Sequence, residues 1–376
     1  MKLFLKILKW FAIVLSSLIV ILLISTYFYM TKDIFGKSPD EEKVSNFEKL
    51  KNYKNGQFQN VTFTPDLTEG YSMTGVMYDF LITDHPRQRP INPIPSVKTN
   101  LLDIPKNENI LIWFGHSSYY IQLDGLMILV DPVFSGNASP VPGSVTSFEG
   151  TDIYTVDDFP NIDYIFISHD HYDHLDYETI VKFKDKVGKV ICGLGVGSHF
   201  EEWGYNKSKI IEKYWNEDVE LAAGFTAHVL TARHFSGRGI SRNNTLWASY
   251  LLESPTMKIY IGGDSGYDTH FAEIGNKYGP IDIAIIENGQ YDLAWKYIHT
   301  LPKEVIQATK DLKSKRLFPV HSSKFDLANH PWDEPLIEVN RFSIGTEISL
   351  ITPIIGEKVK LQDTNQVFSK WWKNVN

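Results

Sequence analysis

Four side chains of metal-ligating type lie within six residues of one another in the segment IFISHDHYDHLD. They are His169, His171, Asp173 and His174. Three imidazoles and a carboxylate would be costly to bury together without a ligand, and they match the nitrogen and oxygen donors that zinc prefers. On a tight loop, positions 169 and 171 point to one side while 173 and 174 turn toward a neighbouring site. The spacing therefore predicts two metal sites. A polar surface turn is the alternative, which is disfavoured because the whole chain has only 12 histidines.

Three further polar residues each follow a β-rich run: His234 after AHVLTAR, Asp264 after MKIYIGG and His321 after RLFPV. The ends of strands at one edge of a layered fold gather functional sites, so residues distant in sequence can converge there. Each residue alone is more typical of a hydrogen-bonded surface or core position. Their occurrence together with the histidine cluster favours a shared metal centre.

The elements that must position these residues alternate between strand and helix. Short β-rich runs begin near Ile110, and two of them, YYIQL and LMILV, are joined by Asp124-Gly125, a strong hairpin signal that makes the first part of the sheet antiparallel. Helical patterns fit residues 177–186, 269–278 and 302–313. This alternation indicates layers of helix packed against sheet.

The composition limits the partners and the cofactors. Lys and Arg total 37 against 45 Asp and Glu, and the net charge of −8 argues against nucleic acid as a partner. Cys192 is the only cysteine, so neither an intrachain disulfide nor a thiolate metal cluster can form. Any metal ion must be held by histidines and carboxylates.

The segment from Trp10 to Met30 carries no charge, and about 20 apolar residues suffice for a helix to cross a bilayer. A cleaved signal peptide is the alternative, but its apolar region is about 7–15 residues long. Lys2, Lys6 and Lys9 precede the segment. The positive-inside bias therefore predicts a single-pass membrane protein whose larger part lies outside the cytoplasm.

The run HDHYDH with its later His, Asp and His resembles the metallo-β-lactamase fold superfamily. The motifs DPVFS, GGDSGY and HSSKFDLAN resemble one branch more specifically, the N-acylphosphatidylethanolamine-hydrolysing phospholipase D group and the related sugar-lactone hydrolases. The resemblance covers about residues 112–334. It implies an α/β fold, a four-layer αββα sandwich with metal ions at one edge, preceded here by the transmembrane helix. The expected domains are the anchor (1–30), a solvated stalk and extended wrap (31–105) and the hydrolase domain (106–376).

The resemblance also implies two divalent metal ions, with zinc the expected metal. His169, His171 and His234 would hold one ion, and Asp173, His174 and His321 the second. Asp264 would bridge both, and a hydroxide between the ions would act as the nucleophile.

Supporting roles follow from the same resemblance. His116 in FGHSS and Asp131 in LVDPVF would orient the ligands, although a surface His and a turn Asp before Pro are equally typical of such positions. His299 in KYIHTLP would protonate the leaving group or bind a substrate oxygen, and Asp173 or water is the alternative proton source.

The implied activity is hydrolysis of a phosphodiester bond in a membrane phospholipid, with the bilayer as partner. Lactone hydrolysis and a non-catalytic envelope binding protein remain alternatives, and a homodimer remains open. Arg233 and Arg238 could meet a phosphate or could be solvated loop cations. Phe134, Phe235 and Trp247 could hold acyl chains or pack in the core.

Overall fold

The computed structural model describes residues 1–375. Its first element is the long helix α1 (Lys2–Met30), of which no residue is buried. Within the described residues it is the one helix long and apolar enough to cross a membrane. A retained anchor and a signal sequence both have this length and composition.

Short elements follow between α1 and the sheets. They are α2 (Glu41–Phe47), the hairpin of β1 (Tyr53–Lys54) and β2 (Gln57–Phe58), and α3 (Met73–Ile82). The Asp40 side chain caps α2 by accepting from Lys43 N, and the Ser72 hydroxyl caps α3 by accepting from Gly75 N.

Aromatic residues attach the start of this segment to the main domain. Phe47, Tyr53 and Phe58 are all buried and belong to the central hydrophobic core. Residues 41–58 therefore lie against the domain, where the polar composition suggested a solvated stalk. Burial of three rings outweighs the polarity of their neighbours in sequence.

Two seven-stranded sheets form the centre of the domain. The first contains β3 (Ile110–Trp113), β4 (Tyr119–Leu123), β5 (Leu126–Val130), β6 (Ile162–Ile167), β7 (Val187–Gly193) and β8 (Ile210–Lys213). The second contains β9 (Asp218–Glu220), β10 (Thr226–Leu230), β11 (Ser249–Glu253), β12 (Lys258–Ile261), β13 (Ile283–Glu287), β14 (Arg316–Val320) and β15 (Ser349–Leu350). The last strand, β16 (Lys358–Lys360), returns to the first sheet. The strand orders are β16-β3-β4-β5-β6-β7-β8 and β15-β14-β13-β12-β11-β10-β9.

The Asp124-Gly125 hairpin forms as its sequence predicts. Leu123 pairs with Leu126, and Asp124 and Gly125 have φ values of 47° and 86°. Both turn residues are thus in the left-handed region that a two-residue hairpin requires. Strands β3, β4 and β5 are antiparallel, whereas β5, β6, β7 and β8 are parallel.

Helices cover the outer face of each sheet. They are α4 (Tyr177–Phe183), α5 (Gly197–Glu202), α6 (His270–Tyr278), α7 (Pro302–Asp311) and α8 (Glu334–Ser343). Residues of α4 and α5 pack on the first sheet, and residues of α6, α7 and α8 pack on the second. The inner faces of the two sheets enclose the central core. The predicted four-layer αββα sandwich is confirmed.

The predicted site residues lie just beyond the ends of strands from both sheets. His116 follows β3, Asp131 follows β5 and His321 follows β14. These three have φ values of 52°, 41° and 68°, in a region that residues other than glycine seldom occupy. Such strained positions cluster at functional sites, where the surrounding structure holds them.

Candidate metal centre

The structure brings all seven predicted ligand residues to one edge of the sandwich. Six of them fall into two groups, and within each group the ligand atoms lie within 4.8 Å of one another. The first group contains His169, His171 and His234; the second contains Asp173, His174 and His321, together with His116.

Asp264 lies between the two groups. Its Oδ2 is 3.8 Å from His169 Nε2, 3.7 Å from His234 Nε2 and 3.2 Å from His174 Nε2. Its Oδ1 is 3.2 Å from His321 Nδ1. One carboxylate therefore faces imidazoles of both groups, the position that a bridging ligand needs.

The donor atoms fit metal ions in their number, type and state. His174 Nε2 and Asp264 Oδ1 are buried and make no hydrogen bond within residues 1–375. Burial lowers the pKa of His169 and His234 well below the usual value and that of His171 to about 4, so these rings are neutral, the form that binds a metal. Burial raises the pKa of Asp264 to about 6, a shift that a neighbouring divalent cation would reverse.

Asp131 holds His174 in place from behind. Its Oδ1 accepts from Ser168 N at 2.8 Å, and its Oδ2 accepts from Ser168 Oγ at 2.7 Å and lies 2.8 Å from His174 Nδ1. A carboxylate can only accept, so His174 carries its proton on Nδ1 and presents a free Nε2 to the centre. Burial opposes a second proton on this ring, but Asp264, Asp173 and Asp131 raise the pKa of His174 well above its usual value, so without a metal ion Nε2 also carries a proton, which a bound divalent ion would displace.

Other rings are oriented in the same way. His234 Nδ1 lies 2.9 Å from the carbonyl oxygen of Ile298, which leaves Nε2 facing the centre. His116 Nε2 lies 2.8 Å from Asp173 Oδ2, so His116 contacts a predicted ligand, as expected for a residue that orients the ligands. These contacts fix ring orientation, the usual task of residues around a metal site.

His299 stands at the cleft side of the centre, held by a residue that sequence reasoning missed. Its Nδ1 lies 2.8 Å from Glu287 Oε2, and Glu287 Oε1 accepts from Thr300 N at 2.6 Å. Burial raises the pKa of Glu287 well above its usual value. The signal for Glu287 was its place as the charged last residue of the apolar strand β13.

An open cleft of about 320 Å³ leads to the centre. Its walls are largely apolar and include Leu67, Met73, Val76, Phe235, Ile298 and Leu327. Of the three aromatic candidates for acyl contacts, Phe235 lines this cleft, whereas Trp247 is buried in the central core and Phe134 packs on Phe114 and Phe159.

The cation that lines the cleft is Arg242, whereas the sequence suggested Arg233 or Arg238. Arg238 is buried and donates to backbone carbonyls of Asp170, Leu175 and Ile34, and Arg233 donates to Thr64 and Phe63. Neither arginine is a solvated loop cation, and neither lines the cleft. Arg242 lines it instead, with its guanidinium 4.1 Å from the Phe235 ring and 3.1 Å from Asp66 Oδ1.

Comparison with known proteins decides the family. Residues 127–322 match the beta-lactamase superfamily domain. The chain is a member of the metallo-β-lactamase superfamily. An uncharacterized protein of Mycobacterium tuberculosis is 34% identical over 334 residues, which are 87% of this chain and 88% of that one.

The chain is also similar to members of the predicted branch. N-acyl-phosphatidylethanolamine-hydrolyzing phospholipase D 1 of Caenorhabditis elegans is 29% identical over 228 residues, 56% of this chain and 62% of the relative. A metallo hydrolase from the archaeon Ignicoccus hospitalis shares the fold with a TM-score of 0.51 and 19% identity, covering 67% of this chain and 98% of its own. The chain is accordingly a metal-dependent hydrolase whose His and Asp clusters bind divalent metal.

Proposed function

We propose that this hydrolase uses two metal ions, zinc by the chemistry of its donors, to cut the headgroup-side phosphodiester bond of an acylated membrane phospholipid. The observation that carries the dinuclear part is the place of Asp264, whose carboxylate faces both groups of imidazoles. In this proposal His169, His171 and His234 hold one ion. Asp173, His174 and His321 hold the other.

Divalent ions held there would lower the pKa of a water molecule and polarise the bond to be broken. The residues of the chain supply geometry. Asp131 and the Ile298 carbonyl keep two rings turned toward the centre, and Asp264 keeps the two groups together. The buried surroundings strengthen every charge interaction with a phosphate that enters.

We assign the leaving-group proton to His299. Attack on phosphorus breaks the bond to the headgroup oxygen, which departs as an alcohol and needs one proton. His299 lines the cleft, and Glu287 lies against its Nδ1, so the proton would leave from Nε2 of the protonated ring. Burial lowers the pKa of His299, which makes the protonated ring a stronger acid. Asp173, the other candidate, has its Oδ2 beside His116 Nε2 and His174 Nε2, contacts that suit a ligand better than a proton donor.

The cleft and the N-terminus support a lipid substrate. The walls offer apolar side chains for acyl groups, and Arg242 offers a guanidinium for the phosphate. Helix α1, as a membrane anchor with the domain outside the cytoplasm, would raise the local concentration of phospholipid at the cleft. The similarity to the phospholipase D 1 of Caenorhabditis elegans supports this reaction class.

The test is to incubate the detergent-purified full chain with a panel of phospholipids and a panel of lactones in oxygen-18 water and to identify products by mass spectrometry. We expect phosphatidic acid that carries one labelled oxygen, together with an unlabelled alcohol. His299→Ala and Asp264→Ala serve as inactive controls. Fast turnover of lactones without release from any phospholipid would replace the proposal with a lactonase, and turnover of neither panel would favour a binding protein.

A further inference from the structure

Helix α3 presents an uncovered apolar surface to solvent. None of its ten residues is buried, and Tyr78, Leu81 and Ile82 are 65%, 71% and 65% exposed. Met77 and Phe80 are exposed as well. A helix of a water-soluble domain normally turns such residues inward, and a contiguous exposed apolar patch marks an interaction surface.

The polar contacts of α3 point toward the domain. Its only charged residue is Asp79, whose Oδ2 accepts from Asn329 Nδ2 at 2.9 Å. On the same inner side, Met73 and Val76 line the metal-centre cleft. The helix therefore has one side on the cleft and an opposite apolar side that nothing in residues 1–375 covers.

The end of α1 contacts the domain at the loop that follows Phe235, a residue of the cleft wall. The Tyr29 hydroxyl donates to the Pro140 carbonyl at 2.7 Å, and Met30 packs on Gly239. Three residues after Gly239, Arg242 lines the cleft and pairs with Asp66, which belongs to the segment that leads into α3. Residues 235–242 thus form one strip that contacts the end of α1 at Gly239 and, at Arg242, reaches the cleft and the segment that leads into α3. A bilayer crossed by α1 would run next to this strip.

We propose that α3 docks on the surface of the bilayer that α1 crosses, with Tyr78, Leu81 and Ile82 in the acyl-chain boundary. A helix of ten residues is about 15 Å long, too short for a hydrocarbon core of about 30 Å, so it lies in the membrane surface. The docking rests on exposure and position alone. Its consequence, that lipid passes from the bilayer along the cleft wall formed by Met73 and Val76 to the metal centre, rests on the proposed phospholipid substrate.

The experiment uses the full chain reconstituted in phosphatidylcholine vesicles. Cys192 is the only cysteine and is fully buried, so a cysteine introduced at an exposed position takes a fluorescent label alone. The test variant is Leu81→Cys. The control is Val367→Cys, because Val367 is 89% exposed. Its neighbour Gln366 accepts a hydrogen bond from Lys360 N, and Lys360 pairs with Ile110 at the start of β3. The metal centre lies beyond the other end of that strand.

We expect lipids with brominated acyl chains to quench the label at position 81 several-fold more than the label at position 367. Equal quenching at the two positions would overturn the proposal. Protection of the Leu81→Cys label that depends on the protein-to-lipid ratio, without quenching by brominated lipid, would assign the surface to a second copy of the chain and also overturn it. Because this readout needs no turnover, it stays decisive if phospholipids prove not to be the substrate.

A second variant separates docking from catalysis. Leu81→Asp should lose most of its activity toward phospholipid in vesicles and keep activity toward the same lipid dispersed in detergent, because Leu81 touches neither the metal centre nor the cleft wall. Equal loss in both media would contradict a role for α3 at the membrane.

Discussion

Replacing Asp131 by Asn changes one oxygen into an NH2 group and leaves the shape of the side chain unchanged. The Asn oxygen can still accept from Ser168 N, and Ser168 Oγ can turn to accept from the new NH2 group. The Nδ1 proton of His174 now faces a donor, and the other oxygen near it, Ser168 Oγ, is farther away at 3.3 Å against 2.8 Å for the lost carboxylate contact. The ring must move its proton to Nε2, the atom that faces Asp264 and the centre.

The loss of metal affinity can be calculated from the contact between Asp131 and His174. A hydrogen bond to a charged group contributes about 1.5–3 kcal/mol, which corresponds to roughly 10- to 150-fold in a dissociation constant. Changes behind metal ligands commonly cost a similar 10- to 100-fold, roughly. We therefore expect Asp131→Asn to weaken the binding of one ion by about that factor. This is the ion assigned to Asp173, His174 and His321. The other ion should bind as in the wild type.

The assay is metal content by elemental analysis after equilibration in chelator-buffered zinc over a range of free concentrations. Asp163→Asn is the matched control, since Asp163 lies at the opposite end of β6 and its side chain accepts from Met127 N. Wild-type occupancy of both ions in Asp131→Asn would refute the argument that this carboxylate sets the tautomer of His174. Loss of both ions with a lowered unfolding temperature of the metal-free protein would show a general structural role instead.

Four further outcomes follow from the same structure. Elemental analysis should find about two divalent ions per chain, and Asp264→Ala should lose one ion and most activity; less than half an equivalent in the wild type, or full turnover in the variant, would contradict the bridging position. His299→Ala should lower kcat by roughly 10²- to 10⁴-fold at unchanged metal content, with a smaller loss on a nitrophenyl substrate whose leaving group needs no proton. Equal losses on both substrates would remove His299 from that role. Burial lowers the pKa of Lys324 from 10.5, so its buried charge costs stability below the folded pKa and the cost is relieved as the pH rises toward 10.5. Chemical denaturation should therefore show the wild type gaining stability relative to Lys324→Met over that range, by at most about 1.4 kcal/mol per pH unit, and parallel curves would count against it. Protease added to intact cells should degrade the domain that follows α1, whereas protection until lysis would place that domain in the cytoplasm.

Much of the metal centre is readable in the sequence because its chemistry is local. His169, His171, Asp173 and His174 fall on one loop after β6, and no long-range contact is needed to see that they could share metals. The Asp124-Gly125 turn is equally local, since two residues with positive φ define the hairpin. The alternation of strands and helices also follows from short-range periodicity and gives the layered architecture.

The tertiary structure alone decided which neighbouring groups serve the centre. Arg233, Arg238 and Arg242 lie within ten residues of one another and have the same charge, yet only Arg242 reaches the cleft. Their directions depend on partners far away in the chain: the carbonyl of Ile34 for Arg238 and Thr64 for Arg233. Such partners are invisible to any short window of sequence.

The same reason explains the exposed helix and the packed aromatic residues. Residues 41–82 show a mixed composition, and only contacts with the domain determine that Phe58 is buried while Leu81 is 71% exposed. The sequence by itself determined the donor types, their spacing and the order of strands and helices, because these depend on neighbours along the chain. Burial and side-chain direction were decided by the tertiary structure, because each depends on contacts between residues far apart in the chain, such as Arg238 with Ile34, 204 positions away.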